Sequence, residues 1–322
     1  MTQQYGAQAA NLPVIDISPM AGGSEQSKAA MAATLREACE HSGFFYVSGH
    51  GIDSALIEQV FNASKQFFAL PMADKLLVDK AQSKANRGYE PLRGQTLEAG
   101  APPDLKEGFY IGEEVAADDE RALARFNTGP NQWPHSVADF RPAMEQYYAA
   151  MEALSARIMA ALALSLSLPE DFFADFCEHP LCTLRLLHYP PQPAQPQPGE
   201  KGCGAHTDFG GITVLLLDDK PGLQVWDAAG ERWIDANPIP GTFVVNLGDM
   251  IARWTNDRYR STLHRVVNTS GTERYSVPFF YSGNPDHEVR CLPVCLQPGD
   301  APRYPVTTVE AHLQEMYRRT YA

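Results

Sequence analysis

The spacing of hydrophobic residues divides the chain into a first half with helices and a second half of short strands. Apolar residues that recur every three or four positions share one face of a helix. This spacing predicts helices at 24–41, 53–68 and 136–167. Between them lie predicted strands at 12–17 and 43–48, and an excursion at 81–135, rich in glycine, proline and charge, with one strand at 106–111.

Beyond Leu168 the pattern changes to short β-branched and aromatic runs separated by glycine and proline. These runs predict strands at 183–189, 212–217, 223–227, 242–246, 261–267 and 275–281. Apolar residues at helical spacing then predict a tail helix over Val309–Tyr321. Many short strands with turns between them favour a closed or double-sheet β fold, of which the jelly roll is the metal-binding example.

Composition and charge exclude several classes of function. A chain of 322 residues with 44% hydrophobic content can bury a large core. Its net charge of -13 repels polyphosphate, and no basic patch offsets it, so we expect no nucleic-acid partner. No segment predicts a membrane span or an export signal, and the six cysteines are too scattered for a disulfide framework. A reduced, cytoplasmic protein is the expectation.

The residues His206 and Asp208 form the first candidate metal pair. In an extended segment, residues two apart project to the same face, so one ion can contact both side chains. An isolated H-x-D pattern is common by chance, but His264 follows 58 residues later in a predicted strand. Two histidines and one carboxylate leave coordination positions open, which is the arrangement of non-haem Fe(II) oxygenases.

A candidate anion site follows the second histidine. Arg274 and Ser276 lie two residues apart in a predicted strand, so they share one face. A buried guanidinium is costly unless it meets an anion, and its planar fork suits a carboxylate. The sequence therefore predicts a carboxylate-binding site near the metal.

The order of these motifs resembles the iron- and 2-oxoglutarate-dependent oxygenases of the isopenicillin N synthase-like superfamily. The pattern is H-x-D, a span of about fifty residues, H, and then R-x-S. Supporting segments are NLGD at 246–249, NDRYRSTLHRV at 256–266 and RYSVPFF at 274–280. The first half adds PVID at 13–16, GFFYV at 43–47 and HGI at 50–52, so the resemblance covers nearly the whole chain.

The resemblance implies an α+β fold, with a double-stranded β-helix (jelly-roll) core flanked by helices. It implies one oxygenase domain over 1–322, with an N-terminal helix and strand region at 1–135, the jelly-roll core at 175–290 and a C-terminal helix at 305–322. In such enzymes the C-terminal tail can cover the active-site mouth. Residues 87–89, Phe280 and Tyr281 are candidate positions for the pocket wall, although core packing is the expectation for Phe280.

The resemblance also implies the site residues and cosubstrates. Fe(II) is expected on His206, Asp208 and His264, and the distal carboxylate of 2-oxoglutarate is expected on Arg274, Ser276 and Tyr189. Oxygen is the second cosubstrate, with ascorbate as a possible reductant. A small-molecule substrate would be hydroxylated, desaturated or cyclised, with release of succinate and CO2. Some plant members have an asparagine where Leu187 stands, which leaves one cosubstrate contact open.

Several alternatives stay open at this point. Arg274 and Ser276 could instead hold a substrate carboxylate, as in isopenicillin N synthase or the ethylene-forming aminocyclopropane carboxylate oxidase. 2-Oxoglutarate could itself be fragmented to ethylene and succinate, and a non-catalytic β-fold binding protein is a rival of another class. The oligomeric state is open too.

Four residues near the motifs have other expected roles. We expect Asp249 to be a turn residue, with Gly248 taking the tight backbone geometry, and His188 to be a structural or pocket histidine. A mixed zinc site of Cys203 with His206 and Asp208 is the weaker interpretation of that cluster.

Overall fold

A computed structural model describes residues 12–321 of the protein. Its helices are α1 (Glu25–His41), α2 (Ser54–Phe68), α3 (Met72–Leu76), α4 (Glu120–Ala124), α5 (Phe140–Ser165), α6 (Asp249–Trp254) and α7 (Val309–Tyr321). Its strands are β1 (Val14–Asp16), β2 (Phe44–Ser48), β3 (Gly88–Glu90), β4 (Glu107–Ile111), β5 (Leu181–Tyr189), β6 (Cys203–His206), β7 (Ile212–Leu217), β8 (Leu223–Asp227), β9 (Arg232–Asp235), β10 (Phe243–Leu247), β11 (His264–Val266), β12 (Arg274–Gly283), β13 (Glu288–Val289) and β14 (Thr307–Thr308).

Capping side chains and backbone conformation explain where the long helices begin and end. The Ser24 side chain accepts a hydrogen bond from the Ser27 N–H at the start of α1, and Asp53 accepts one from the Ala55 N–H at the start of α2. Helix α5 is shorter than predicted at both ends. It ends at Ser165, and two residues later Ser167 takes a left-handed backbone conformation with φ of 60°, in which a right-handed helix cannot continue.

Two sheets form the β core. One has eight strands in the order β1-β2-β10-β7-β12-β5-β4-β3, and the other has four in the order β6-β11-β8-β9. The β1–β2 pair is parallel and the other pairs of these sheets are antiparallel. The double-sheet fold with flanking helices is therefore confirmed. The pattern had not predicted β3, β6, β9, β13, β14 or the short helices α3, α4 and α6, which are too short or too polar to produce a periodic signal.

Strand alternation gives the large sheet two different faces. On β5, Leu184 and Leu186 belong to a core that also holds residues of α1, α2 and α5. Leu187 and Tyr189 belong to a second core, which contains residues of both sheets. Side chains that point into this second core therefore lie between the sheets, where the predicted site residues are found.

No helix within residues 12–321 combines the length and apolar character needed to cross a membrane. Helix α7 has the bounds Val309–Tyr321 that the apolar spacing predicts, whereas residues 305–308 of the implied C-terminal helix at 305–322 are not helical. The Glu310 carboxylate accepts a hydrogen bond of 2.6 Å from the Phe126 N–H, and the His312 ring is 2.9 Å from the Phe209 carbonyl oxygen. These contacts fix α7 against two loops beside the site.

Candidate active site

The three predicted metal ligands lie together between the sheets. His206 ends β6 and His264 begins β11, and the two residues face each other across this antiparallel pair. Their Nε2 atoms lie 3.7 and 3.8 Å from the same oxygen of Asp208, and all three ligand atoms fall within 4.8 Å of one another. One metal ion can therefore contact all three side chains.

Hydrogen bonds hold both histidine rings in the form that binds metal. The Nδ1 atom of His206 is 2.8 Å from the Gly204 carbonyl oxygen, and that of His264 is 3.1 Å from the Thr262 carbonyl oxygen. A carbonyl only accepts, so Nδ1 carries the proton and Nε2 presents its lone pair to the metal. Burial lowers the pKa of His206 and lowers that of His264 to about 4, so both rings are neutral near pH 7.

The two oxygens of Asp208 have different surroundings. One faces the histidines, and the other accepts hydrogen bonds from Thr213 at 2.5 Å and from Asn246 at 2.6 Å. Burial opposes ionisation of this carboxyl, but His264, His206 and the two hydrogen bonds outweigh it, so its pKa is lowered. Thr213 and Asn246 thus orient the carboxylate and keep it charged. Asn246 belongs to the NLGD segment at 246–249, but no spacing rule predicted its hydrogen bond to Asp208.

Acidic residues of the 81–135 excursion hold strand β6 in place. Glu98 accepts a hydrogen bond of 2.9 Å from the Ala205 N–H, and Asp104 accepts one of 2.8 Å from the Gly204 N–H. Asp104 also pairs with the buried Lys106, whose ammonium is 3.5 Å from the Cys203 sulfur. Cys203 is not one of the clustered ligands, and burial raises its thiol pKa to about 11. The mixed zinc site is therefore wrong.

Asp249 was predicted to be a turn residue, and this prediction is wrong. It begins α6, and its carboxylate accepts hydrogen bonds from Thr207 at 3.2 Å and from Ser261 at 2.6 Å. It thereby ties the H-x-D segment to the loop before His264. Gly248 has an ordinary extended backbone, with φ of -92°. Glycine is required there because a Cβ would lie 2.2 Å from the Gly210 carbonyl oxygen.

The predicted carboxylate residues lie on neighbouring strands. Arg274 on β12 is paired in register with Tyr189 on β5, and Ser276 with Leu187. The centre of the Arg274 guanidinium is 4.8 Å from the centre of the Tyr189 ring, and the Tyr189 hydroxyl is hydrogen-bonded to Ser276. All three residues are at most 2% exposed.

Arg274 has unmet hydrogen-bonding capacity inside this core. Its Nε and Nη1 atoms are buried and have no hydrogen-bond partner, and it takes part in none of the ion pairs within the described part of the chain. Each unmet buried donor costs about 1 to 3 kcal/mol, and more where the group is charged. An anion bound between Arg274, Ser276 and Tyr189 would satisfy these donors, so the residues fit the carboxylate of 2-oxoglutarate.

His188 is structural. It lies on the other face of β5, with Nδ1 2.7 Å from a Glu107 oxygen and Nε2 hydrogen-bonded to Glu273. Burial would lower its pKa, but the hydrogen bonds to Glu107 and Glu273 outweigh burial and raise it. This histidine therefore braces the strands behind the site.

A pocket of about 80 Å³ opens beside His206 and Asp208. Phe280 lines it, so the prediction that this residue only packs in the core is wrong. Residues 87–89 do not line it, since Arg87 is buried on the carbonyl oxygens of Ala85 and Asn127. Leu313 and Tyr317 of α7 form part of the wall, as expected of a tail that covers the site.

Two family descriptions match most of the chain. Residues 12–136 match the family described as "non-haem dioxygenase in morphine synthesis N-terminal". Residues 180–283 match the "2OG-Fe(II) oxygenase superfamily", and this segment contains all six predicted site residues.

Similar proteins of known sequence and structure belong to the same group. The 2-oxoglutarate-Fe(II) type oxidoreductase hxnY of Emericella nidulans is 48% identical over 314 residues, covering 96% of this chain and 90% of that protein. The 2-oxoglutarate-dependent dioxygenase citB of Monascus ruber is 42% identical over 319 residues, covering 96% and 95%.

Among solved structures, a full-length Neurospora crassa protein in complex with alpha-KG superposes with a TM-score of 0.86. It is 32% identical, and the match covers 96% of each chain. With the His–Asp–His cluster, these likenesses support an enzyme that uses Fe(II), 2-oxoglutarate and O2. The chain belongs to the 2OG-Fe(II) oxygenase superfamily and is a non-haem iron 2-oxoglutarate-dependent dioxygenase with a jelly-roll core.

Proposed function

We propose that this dioxygenase binds iron through His206, Asp208 and His264 and oxidises a small organic molecule in the adjoining pocket. In this proposal Arg274, Ser276 and Tyr189 hold the distal carboxylate of 2-oxoglutarate. Iron, 2-oxoglutarate and O2, when bound, supply an oxidant with release of succinate and CO2. The protein contributes neutral imidazoles, an ionised carboxylate, a buried cation and a pocket that limits access of water.

The observation that carries this proposal is the buried Arg274, whose unmet donors point to an anion between the sheets. The same arginine could hold a substrate carboxylate in an oxidase that uses no 2-oxoglutarate. Two findings favour 2-oxoglutarate. The similar fungal proteins are named as 2-oxoglutarate enzymes, and the Neurospora crassa protein was solved with alpha-KG. The pocket at His206 also leaves a separate place for the substrate.

The reaction outcome is proposed only as hydroxylation, desaturation or cyclisation of a small molecule. The Neurospora crassa protein has also been solved with alpha-KG and thymine, which supports a small substrate beside the cosubstrate. The single-domain organisation over 1–322 stays a prediction, as do the oligomeric state and the use of ascorbate. A cytoplasmic location is likewise proposed, and the six free cysteines suit a reducing compartment.

The test is to measure succinate released per O2 consumed by protein loaded anaerobically with Fe(II), with candidate substrates present and absent. We expect a substrate to stimulate O2 consumption with equal release of succinate. O2 consumption without succinate would favour the oxidase, and ethylene would favour fragmentation of 2-oxoglutarate. His206→Ala should abolish turnover, and iron-dependent activity in this variant would contradict the ligand assignment.

A further inference from the structure

A second buried cation lies on the inner face of the large sheet, beside the proposed carboxylate site. Lys106 directly precedes β4, whose first residue, Glu107, pairs in register with His188 of β5. Side chains alternate between the two faces along a strand, so Lys106 lies next to Tyr189 on the inner face. Because β5 runs between β4 and β12, Tyr189 stands between Lys106 and Arg274.

The ammonium group of Lys106 is buried but has an unmet donor. The residue is 4% exposed. Its Nζ atom pairs with Asp104 and lies 3.5 Å from the sulfur of Cys203, which is a weak acceptor. An ammonium carries three N–H donors, and no other acceptor in the described part of the chain meets the third. Burial of a charged donor without a partner is costly, so a bound ligand that accepts this hydrogen bond would stabilise the site.

Lys106 keeps its positive charge in this surrounding. Burial would lower the pKa of Lys106, but the neighbouring Cys203 and Asp104 outweigh burial and raise it. Burial also raises the pKa of the Tyr189 hydroxyl, and Arg274 and Lys106 both oppose that rise. Tyr189 therefore lies within electrostatic reach of two cations, one on each neighbouring strand.

The acidic partner of Lys106 fixes the position of the ammonium. One oxygen of Asp104 pairs with Lys106, and the other accepts a hydrogen bond of 2.8 Å from the Gly204 N–H. The side chain of Asp104 is itself only 2% exposed, so this ion pair is shielded from solvent. A donor that is already held in place loses little further freedom when a ligand binds to it.

We propose that Lys106 donates its third N–H to the distal carboxylate of 2-oxoglutarate. This inference rests on the proposed function, in which Arg274, Ser276 and Tyr189 hold that carboxylate. A carboxylate has two oxygens and about four lone-pair sites, so it can accept from both a guanidinium and an ammonium. Lys106 would thereby increase the preference of the site for a 2-oxo acid that carries a second negative charge.

The test compares 2-oxoglutarate with 2-oxopentanoate, in which a methyl group replaces the distal carboxylate. Each is titrated without oxygen into full-length protein loaded with Fe(II), and the absorption change gives its Kd. Asp104→Asn/Lys106→Met removes both charges of the pair together, so no buried charge loses its partner. We expect the Kd of 2-oxoglutarate to rise at least about tenfold, since a charge-assisted hydrogen bond is lost, and the Kd of 2-oxopentanoate to stay unchanged.

Lys75→Met/Glu107→Gln is the matched control, because it removes another buried lysine–carboxylate pair, on the opposite face of β4. It should leave both Kd values unchanged. If Asp104→Asn/Lys106→Met weakens both ligands equally, or neither, Lys106 has only a structural role and the inference is wrong. Loss of iron from that variant would also overturn it, because the pair would then serve the metal ligands. Failure of the wild-type protein to bind 2-oxoglutarate would instead contradict the proposed function.

A second measurement uses the wild-type protein, so it does not depend on the folding of a variant. The lysine side chains are labelled for nitrogen NMR, and Zn(II) replaces Fe(II) as a diamagnetic ion. 2-Oxoglutarate should shift the ammonium signal of Lys106 and leave that of Lys75 in place, whereas 2-oxopentanoate should shift neither. A Lys106 signal that does not move, or that moves equally with both ligands, would contradict the proposed contact.

Discussion

The proposed cosubstrate end and the proposed substrate end of the site each present an arginine on the inner face of the same sheet, but they are built differently. At the cosubstrate end, Arg274, Ser276 and Tyr189 lie on paired strands and are at most 2% exposed. At the substrate end, Arg185 and Phe280 are partly exposed, and loops and the tail helix complete the wall. The rigid strands suit a cosubstrate that never changes, whereas loops and tails can vary with the substrate.

The largest expected effect removes the metal that both ends serve. Asp208→Ala deletes the carboxylate whose oxygen lies 3.7 and 3.8 Å from the two histidine Nε2 atoms, so we expect no iron binding and no turnover. Iron content after anaerobic dialysis measures this. Asp249→Asn is the control, because Asp249 is close to the site but positions Thr207 and Ser261 instead. It should retain iron with affinity lowered about 10 to 100-fold. An equal loss of iron in Asp208→Ala and Asp249→Asn would contradict the assignment of Asp208 as a ligand and Asp249 as a residue that supports the site.

The next effect concerns the cosubstrate end alone. Arg274→Gln removes a buried cation, so the 2-oxoglutarate Kd should rise about 100-fold, the size expected for truncating a buried charge pair. Anaerobic titration of the iron-loaded protein measures it. Arg274→Lys keeps the charge without the planar fork and should lie between wild type and Arg274→Gln. An unchanged Kd in Arg274→Gln would mean that the carboxylate binds elsewhere.

A smaller effect is expected at the substrate end. Tyr317→Ala removes one ring of the pocket wall, so the KM for the substrate should rise about tenfold, the size of one lost aromatic contact. The Kd for 2-oxoglutarate should stay unchanged, because Tyr317 lies on the tail helix and not between the sheets. Steady-state kinetics with each ligand varied separately checks both values. A change in 2-oxoglutarate affinity alone would mean that the two ends are not independent.

The smallest expected effect is on the free energy of unfolding, and it concerns His188, which braces the strands behind the site. The folded-state pKa of His188 is raised above its unfolded value near 6.5. Protonated His188 therefore stabilises the fold fully below about pH 6.5, and this contribution is lost as pH rises through the folded pKa. We expect His188→Asn to lower the free energy of unfolding by roughly 1 kcal/mol more at pH 6 than at pH 9. The difference is small because the Glu273 side chain is exposed and solvent screens its charge.

Urea denaturation at the two pH values measures this difference. His179→Asn replaces a histidine at an exposed position and is the matched control for the substitution itself. A destabilisation by His188→Asn that is the same at both pH values would show that the protonated ring contributes nothing.

The cosubstrate end and the metal ligands were predictable because strand alternation acts over two residues. Alternation predicted His206 with Asp208, and Arg274 with Ser276, on common faces, and a predicted strand 58 residues after His206 supplied His264. Strands such as β7 and β8 were predicted to the residue, since their apolar runs are clear. The fold brings these side chains together, but their roles toward iron and 2-oxoglutarate stay proposals.

The substrate end was less predictable because its parts meet only in the folded chain. Arg185 and Tyr110 come together through the pairing of β4 with β5, which no local pattern reveals. The requirement for glycine at 248 depends on the approach of Gly210 from another segment. Asn246 and Thr213 reach Asp208 from two neighbouring strands. Phe280 was predicted to pack in the core because an aromatic residue in a strand usually does.

The most direct test of these assignments is a crystal structure of the protein with Fe(II) and 2-oxoglutarate, grown and frozen without oxygen. We expect one metal ion bonded to the Nε2 atoms of His206 and His264 and to Asp208. We also expect the distal carboxylate on Arg274 and Ser276, and not on Arg185, which lines the pocket beside the metal ligands. A metal bound by other residues, or a 2-oxoglutarate carboxylate on Arg185, would contradict the assignment of the two ends.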